Sequence, residues 1–416
     1  MNKARKEKLN KAIFLAIMLY ALISMIYFGY QKNGYHVDEI YSYGLANSEY
    51  LPFMHFGESG YDVKDWMMEY GAGESFVQLF KNLWKDFQIL KEHKFNFYST
   101  PIYEAYLVAQ ANSADTTTTT WVSGQDYRDY VSVSPENTFN YASVYYNQRG
   151  DVHPPFFYIL LHTICSIFQG SFSKWYGLVL NMVFLMLTLG ILYKMCREYC
   201  GGELPALAIV ASYVFSYGFI STAMFIRMYA ILTFFVIWSC YLHLELLEAD
   251  FCMTKKRVRK LVLVTLLGYY THYYYVLYAL GMAVVCCVIA FLRKHYKSMF
   301  QYIFAMAGAA IAGICIWPFS VKHVFRSYRG KNSIQALIEM DSYLLKIKLM
   351  TGQIFHPSLG GKVFWLLVLL AVAGVLLIVT KGKRVKPGRL CVIYIPIVFY
   401  TMMVSQIVPF ARKLIR

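Results

Sequence analysis

Two adjacent carboxylates, Asp38 and Glu39, follow the first hydrophobic segment of the chain within the stretch Tyr35-His36-Val37-Asp38-Glu39-Ile40-Tyr41. A carboxylate in that position can act as a base, bind a cation or remain solvated, and the rest of the chain decides between these. The other polar residues of interest come from separate stretches: Asp151 and His153 ahead of two prolines, Arg227 with Tyr229, His272, and the pair Arg326 and Arg329. Together they offer proton acceptors, imidazoles and fixed cations. Chemistry among them requires elements that carry all of these stretches to one place.

Those elements are apolar. Of 416 residues, 58% are hydrophobic, 18% aromatic and only 15% charged, with mean hydropathy +0.41, values outside the range of a soluble domain. The net charge of +16 is unevenly spread. Gln31 to Asp151 carries 16 of the 24 acidic residues and 8 of the 40 basic ones, so this segment is −8 and the remainder +24. Excess Lys and Arg mark cytoplasmic loops. The basic residues sit in short clusters between apolar runs, which disfavours nucleic acid as a partner. All nine cysteines lie in or beside apolar runs and none in the acidic segment, so no disulfide framework is expected there. Cys196 and Cys200 have no second Cys or His pair to complete a metal site.

Lys3, Arg5, Lys6, Lys8 and Lys11 precede an uncharged run to about Tyr30, which reads as an uncleaved anchor with the N-terminus inside. Four more basic clusters follow: Lys194 with Arg197, Lys255 to Lys260, Arg293 to Lys297, and Lys381 to Arg389. If all are cytoplasmic, the number of crossings between successive clusters is even. The apolar run from Lys260 to Arg293 is about 32 residues, roughly 48 Å as one helix against a core of about 30 Å, so it must fold back. The break falls at Gly268-Tyr-Tyr-Thr271-His272 and places His272 at the outer face. The same parity places a turn between Tyr217 and Tyr229, with Arg227 outside, and two spans between Gln301 and Thr380 flanking an outer loop with Arg326 and Arg329.

In the interval from the N-terminus to Lys194, parity allows only one of Pro154 to Phe168 and Trp175 to Tyr193 to cross. The former is short and opens with two prolines, so it reads as an interfacial helix. The expected organisation is a tail and first span over 1–30, an outer loop over 31–174, further spans over 175–319, a basic outer loop over 320–361 and C-terminal spans over 362–416. Within the outer loop, the Asn/Ser/Thr-rich stretch from Ala111 to Gly124 reads as a variable insert. A last span from about Leu390 to Val408 leaves Ala411 to Arg416 outside, against the charge rule, so either one further crossing or a downstream segment is expected. The spans are almost free of ionisable groups, with His243, Glu245 and Glu248 toward the cytoplasmic end. A transporter tends to hold such groups near the midplane.

The order Asp38-Glu39, then Asp151-Val-His153-Pro154-Pro155-Phe-Phe-Tyr-Ile-Leu-Leu-His162, then Ile226-Arg227-Met228-Tyr229-Ala230, then Thr271-His272-Tyr273 resembles the GT-C membrane glycosyltransferases. Within them it is most similar to the protein O-mannosyltransferase and aminoarabinose-transferase branch, over about residues 10 to 320. The resemblance implies an all-α polytopic membrane protein of GT-C fold with about nine transmembrane helices and a long first outer loop. It also implies an inverting transfer of a sugar from a polyprenyl-phosphate carrier to an acceptor at the outer face of a bacterial plasma membrane. Asp38 maps to the catalytic base or acceptor-positioning group, and Glu39, Asp151, His153, Arg227, Tyr229, His272, Arg326 and Arg329 to substrate binding. No cofactor is certain, though some relatives bind a divalent cation near the acidic pair. The first outer loop is longer than this fold usually needs, and neither sugar nor acceptor is assigned.

Overall fold

The computed structural model describes residues 3–52, 84–85, 87–89, 91–94, 122–325, 327–339, 343–359 and 386–407. The Thr116 to Thr120 run, Arg326, the span expected before Thr380 and the C-terminal residues 411–416 lie outside them. The described residues are all-helical, with no strand among them. The chain divides into two compact units, one formed by 1–33 with 178–416 and the other by 34–177.

The first unit opens with α1 (Lys3–Gln31), 29 residues or about 44 Å of helix, enough to carry the uncharged run through a bilayer with its basic turns protruding. After the second unit comes α6 (Lys174–Tyr199), then α7 (Glu203–Val214) and α8 (Tyr217–Met224), which are bent by 56° at Phe215-Ser216. The Ser216 side chain caps α8 by accepting from the Phe219 N–H. The long α9 (Tyr229–Glu248) follows, then the hairpin α10 (Lys255–Thr271) and α11 (Tyr274–Leu292), and then α12 (Tyr296–Ile316). Short α13 (Phe319–Phe325), α14 (Tyr328–Glu339), α15 (Tyr343–Leu359) and the apolar α16 (Pro387–Ile407) complete the unit.

The expected turn before Tyr229 falls at Phe225 to Met228, with the additional bend at Phe215-Ser216. Among the described residues, six helices are long and apolar enough to cross a membrane, or seven if the bent pair is one span. The hairpin breaks at His272-Tyr273, at the C-terminal end of the expected stretch. Its first arm, α10, has only 17 residues and carries five basic ones within its first six, so by length and apolarity it falls short of a full span.

Close packing inside this unit depends on small residues. A Cβ on Gly268 would meet the Tyr275 ring at 2.5 Å, so the two arms of the hairpin touch through that glycine. At Gly281 of α11, Pro396 and Phe399 of α16 approach to 3.3 and 3.0 Å of where a Cβ would lie. Among the described residues, these two helices form the most extensive helix pair.

The basic clusters gather at one end of this unit. Glu245 pairs with Arg257 and Lys260 at 3.8 Å, Asp250 with Arg293 at 3.5 Å, and Glu248 with Arg389 at 2.8 Å and Lys386 at 3.1 Å. Arg389 also donates to the Tyr199 carbonyl at 3.1 Å, tying the end of α6 to the start of α16. Phe14, three residues past Lys11, stacks on Tyr193 at 4.1 Å, which brings the start of α1 to the same end. As α9 is 20 residues long, about 30 Å, Arg227 and Tyr229 lie at the opposite end.

The second unit holds α2 (Val37–Asn47), α3 (Gly124–Val131), α4 (Tyr141–Gly150) and α5 (Phe156–Ile167). Its centre is polar. Asparagine side chains satisfy the carbonyls that the end of α2 and the end of α3 leave over: Asn147 donates to the Ser48 carbonyl at 2.8 Å, Asn137 to that of Asn47 at 2.8 Å, and Asn47 to that of Val131 at 2.7 Å. Gly44 lets α3 lie against α2, since a Cβ there would fall 1.9 Å from the Tyr130 ring, whose hydroxyl donates to the Pro52 carbonyl at 3.0 Å.

Candidate functional site

Asp38 and Glu39 occupy the first turn of α2, where their roles separate. His36 is the N-cap: its Nδ1 accepts from the Asp38 N–H at 3.1 Å, while the Glu39 carboxylate accepts from the His36 N–H at 2.7 Å. This is a capping box built on histidine. Because Nδ1 receives a hydrogen bond, the proton of the neutral ring sits on Nε2. Glu39 is fully buried and serves the helix start, whereas the Asp38 side chain is 45% exposed, 3.8 Å from His36 Nδ1. Of the acidic pair, Asp38 is the member that presents an oxygen outward.

Asp151 caps the end of α4, its N–H donating to the Gln148 carbonyl at 3.2 Å. Two residues on, His153 Nδ1 lies 2.7 Å from Asp151 Oδ2, with both side chains largely buried. A carboxylate accepting at Nδ1 fixes the imidazole tautomer and leaves Nε2 as the second functional atom. Pro154 and Pro155 then set the entry to α5, with Pro155 at the N-cap position. His162 on α5 is fully buried, and desolvation pushes its imidazole down to about 4. The Ala46 and Asn137 carbonyls oppose that shift, but neither ring nitrogen reaches hydrogen-bond geometry.

In the first unit, Arg227 sits in the turn between α8 and α9, 5% exposed, with its N–H donating to the Phe225 carbonyl at 2.8 Å. Asn181 of α6 holds this turn, donating to the carbonyls of Phe225 at 2.8 Å and Ala223 at 3.2 Å. Tyr229 stacks on Phe225 and lies 5.9 Å from His272. His272 in turn contacts Tyr274 at 4.6 Å and accepts at Nδ1 from the Tyr274 N–H at 3.0 Å, so it also starts α11. Arg329 of α14 lies within electrostatic reach of Tyr274. Tyr229, His272 and Arg329 thus share one end of this unit, and Asp151 and His153 are paired within the other; Arg326 lies outside the described residues.

The sequence reading missed several groups here. Asn181 is a fully buried amide in an apolar span, and that isolation is itself a signal. Tyr273 accepts from the Trp317 indole N–H at 2.8 Å, and its hydroxyl lies 2.9 Å from His323 Nδ1. No sequence periodicity marks that pairing across 44 and 50 residues. Among the described residues, no group of three His, Cys, Asp or Glu side chains is placed to hold a metal ion.

The helix lengths and composition define a polytopic membrane protein whose described residues are all-helical. Set against family models, curated proteins and solved structures, the chain finds no match in any of the three.

Proposed function

We propose that the protein is an inverting glycosyltransferase that moves a sugar from a polyprenyl-phosphate carrier to an acceptor at the outer face of the membrane. The observation that carries this reading is where the charges lie. In the described spans, Asp, Glu, Lys and Arg occur only near helix ends, with the acidic ones at the basic end tied up in ion pairs. A transporter or flippase of a lipid-linked glycan calls for a charged line through the midplane. Arg227, the Asp151–His153 pair and Asp38 instead sit at turns and helix starts, where a reaction at the membrane surface needs them.

In this reading Asp38 accepts the proton of the acceptor hydroxyl as the glycosidic bond forms, which requires a carboxylate within hydrogen-bond reach. The departing polyprenyl phosphate gains negative charge, and a preplaced cation stabilises it. Arg227 fits that role because a guanidinium grips phosphate oxygens two at a time. His153, held by Asp151, is the imidazole this reading assigns to a substrate hydroxyl or phosphate. Incubating membranes that contain the protein with radiolabelled polyprenyl-phosphate sugars tests the proposal. Label covalently joined to an acceptor supports it; label that changes leaflet while still on the carrier points to transport instead.

A further inference from the structure

Exposed apolar side chains gather at one edge of the second unit. The α5 helix buries Phe157, Tyr158, Leu161 and Cys165, then ends in Ile167 and Phe168, which are 63% and 51% exposed. Phe139, from the turn before α4, joins them: its N–H donates to Ser166 Oγ at 3.0 Å, and it is 48% exposed. Single exposed apolar residues need no explanation, but three that adjoin from stretches 27 residues apart do. Phe139 also has φ +53, in the left-handed region that suits glycine or asparagine and is rare for a bulky side chain. A half-exposed phenyl ring kept in such a conformation points to a use outside the fold.

What lies beside this edge follows from α6, which starts six residues after Phe168. That helix has 26 residues, about 39 Å, against a hydrocarbon core that about 20 residues cross. Arg197 near its far end pairs with Glu203 and stays out of the hydrocarbon, so counting about 20 residues back sets the near border at about Gly177. Lys174 and Trp175, with the ammonium 5.9 Å from the indole ring, stand just outside that border as an interfacial anchor. Tyr176 lies on it, and the Phe168 ring stacks on Tyr176 at 5.0 Å. Tyr43 of α2 fixes this start, donating to the Ser173 carbonyl at 2.7 Å and accepting from the Gly177 N–H at 3.0 Å. The exposed trio is thereby held at the depth of the membrane surface.

We infer that Phe139, Ile167 and Phe168 form a wedge that enters the headgroup region of the bilayer and seats the second unit, with Asp38 and the Asp151–His153 pair, on the lipid surface. The partner is lipid rather than a protein, because the wedge continues the border that α6 crosses. Its apolar side chains contribute buried area, and the lysine and tryptophan of the α6 start supply the polar half of an interfacial contact. The inference holds whether or not the chain transfers a sugar.

The test places one fluorophore at a time through Phe139→Cys, Ile167→Cys or Phe168→Cys, in the full chain with the exposed Cys252 and Cys315 changed to Ser, reconstituted in phosphatidylcholine vesicles. The parent chain without the added cysteine gives the background. Each label should be quenched at least about threefold more by phosphatidylcholine carrying a nitroxide near the top of its acyl chain than by iodide in the water, as insertion by about 5–10 Å requires. Stronger quenching by iodide at all three positions overturns the wedge. Iodide quenching at Phe139→Cys alone also overturns it, since contact at 167 and 168 is then no more than the border of α6. Protection from both quenchers means that protein covers this edge, and overturns the lipid assignment. Phe139→Gly, which suits the backbone, is the second variant: with it the Ile167→Cys label should become about twofold more open to iodide, and an unchanged label removes Phe139 from the wedge.

Discussion

His153 is hydrogen-bonded through Nδ1 to the Asp151 carboxylate at 2.7 Å, and the two are separated in sequence by a single residue. The pair is built by the end of α4 on one side and the prolines that launch α5 on the other, so its geometry follows from the local chain.

Asp151→Asn should preserve the fold of this segment but release the tautomer, because an amide can donate to Nδ1 as well as accept from it. Transfer should fall about 10- to 100-fold, with His153→Ala at least as severe. Steady-state rates for both variants check this, and a D151N enzyme with wild-type turnover removes the pair from the reaction.

Arg227→Lys keeps the charge but loses the two-pronged grip. The effect should fall on the carrier, with its KM rising about tenfold while the acceptor's KM stays within about twofold. Unchanged kinetics for both substrates contradict a phosphate role.

Gly44→Ala tests how α2 and α3 meet. A methyl 1.9 Å from the Tyr130 ring displaces that ring and its hydrogen bond to Pro52, at a cost of about 1–3 kcal/mol. A lowered melting temperature in detergent is expected, and a wild-type melting curve would mean that the ring moves aside without loss.

His162 gives the second unit a defined acid sensitivity. Its folded-state value, about 4, lies below the ordinary 6.5. Below pH 6.5 the unfolded chain takes up a proton that the folded one refuses, so stability is intact above pH 6.5 and declines from there toward pH 4. The full loss is on the order of 3 kcal/mol. Denaturation midpoints between pH 7 and 4, compared with those of His162→Asn, measure it. Equal slopes for the two proteins would show that another group is responsible.

Much of the first unit could be read from hydropathy and charge alone. The breaks near Arg227 and His272 fall where run length exceeds bilayer thickness, and the described basic clusters share an end. The short α5 after Pro154-Pro155 was visible for the same reason. The individual roles were not visible. Glu39 reads as a partner of Asp38, yet its buried carboxylate closes a capping box, because only the backbone direction at His36 reveals where a side chain three residues later points. Asn181 could have been found, since an amide alone in a span needs a partner.

Asp38 carries the central claim, and the most direct measurement is sugar transfer by purified wild-type and Asp38→Asn protein supplied with a radiolabelled polyprenyl-phosphate sugar that the wild type uses. The account predicts that D38N inserts, folds and binds the carrier as the wild type does, while its transfer rate drops by about 100-fold or more. A D38N protein that transfers at near wild-type rate would contradict it.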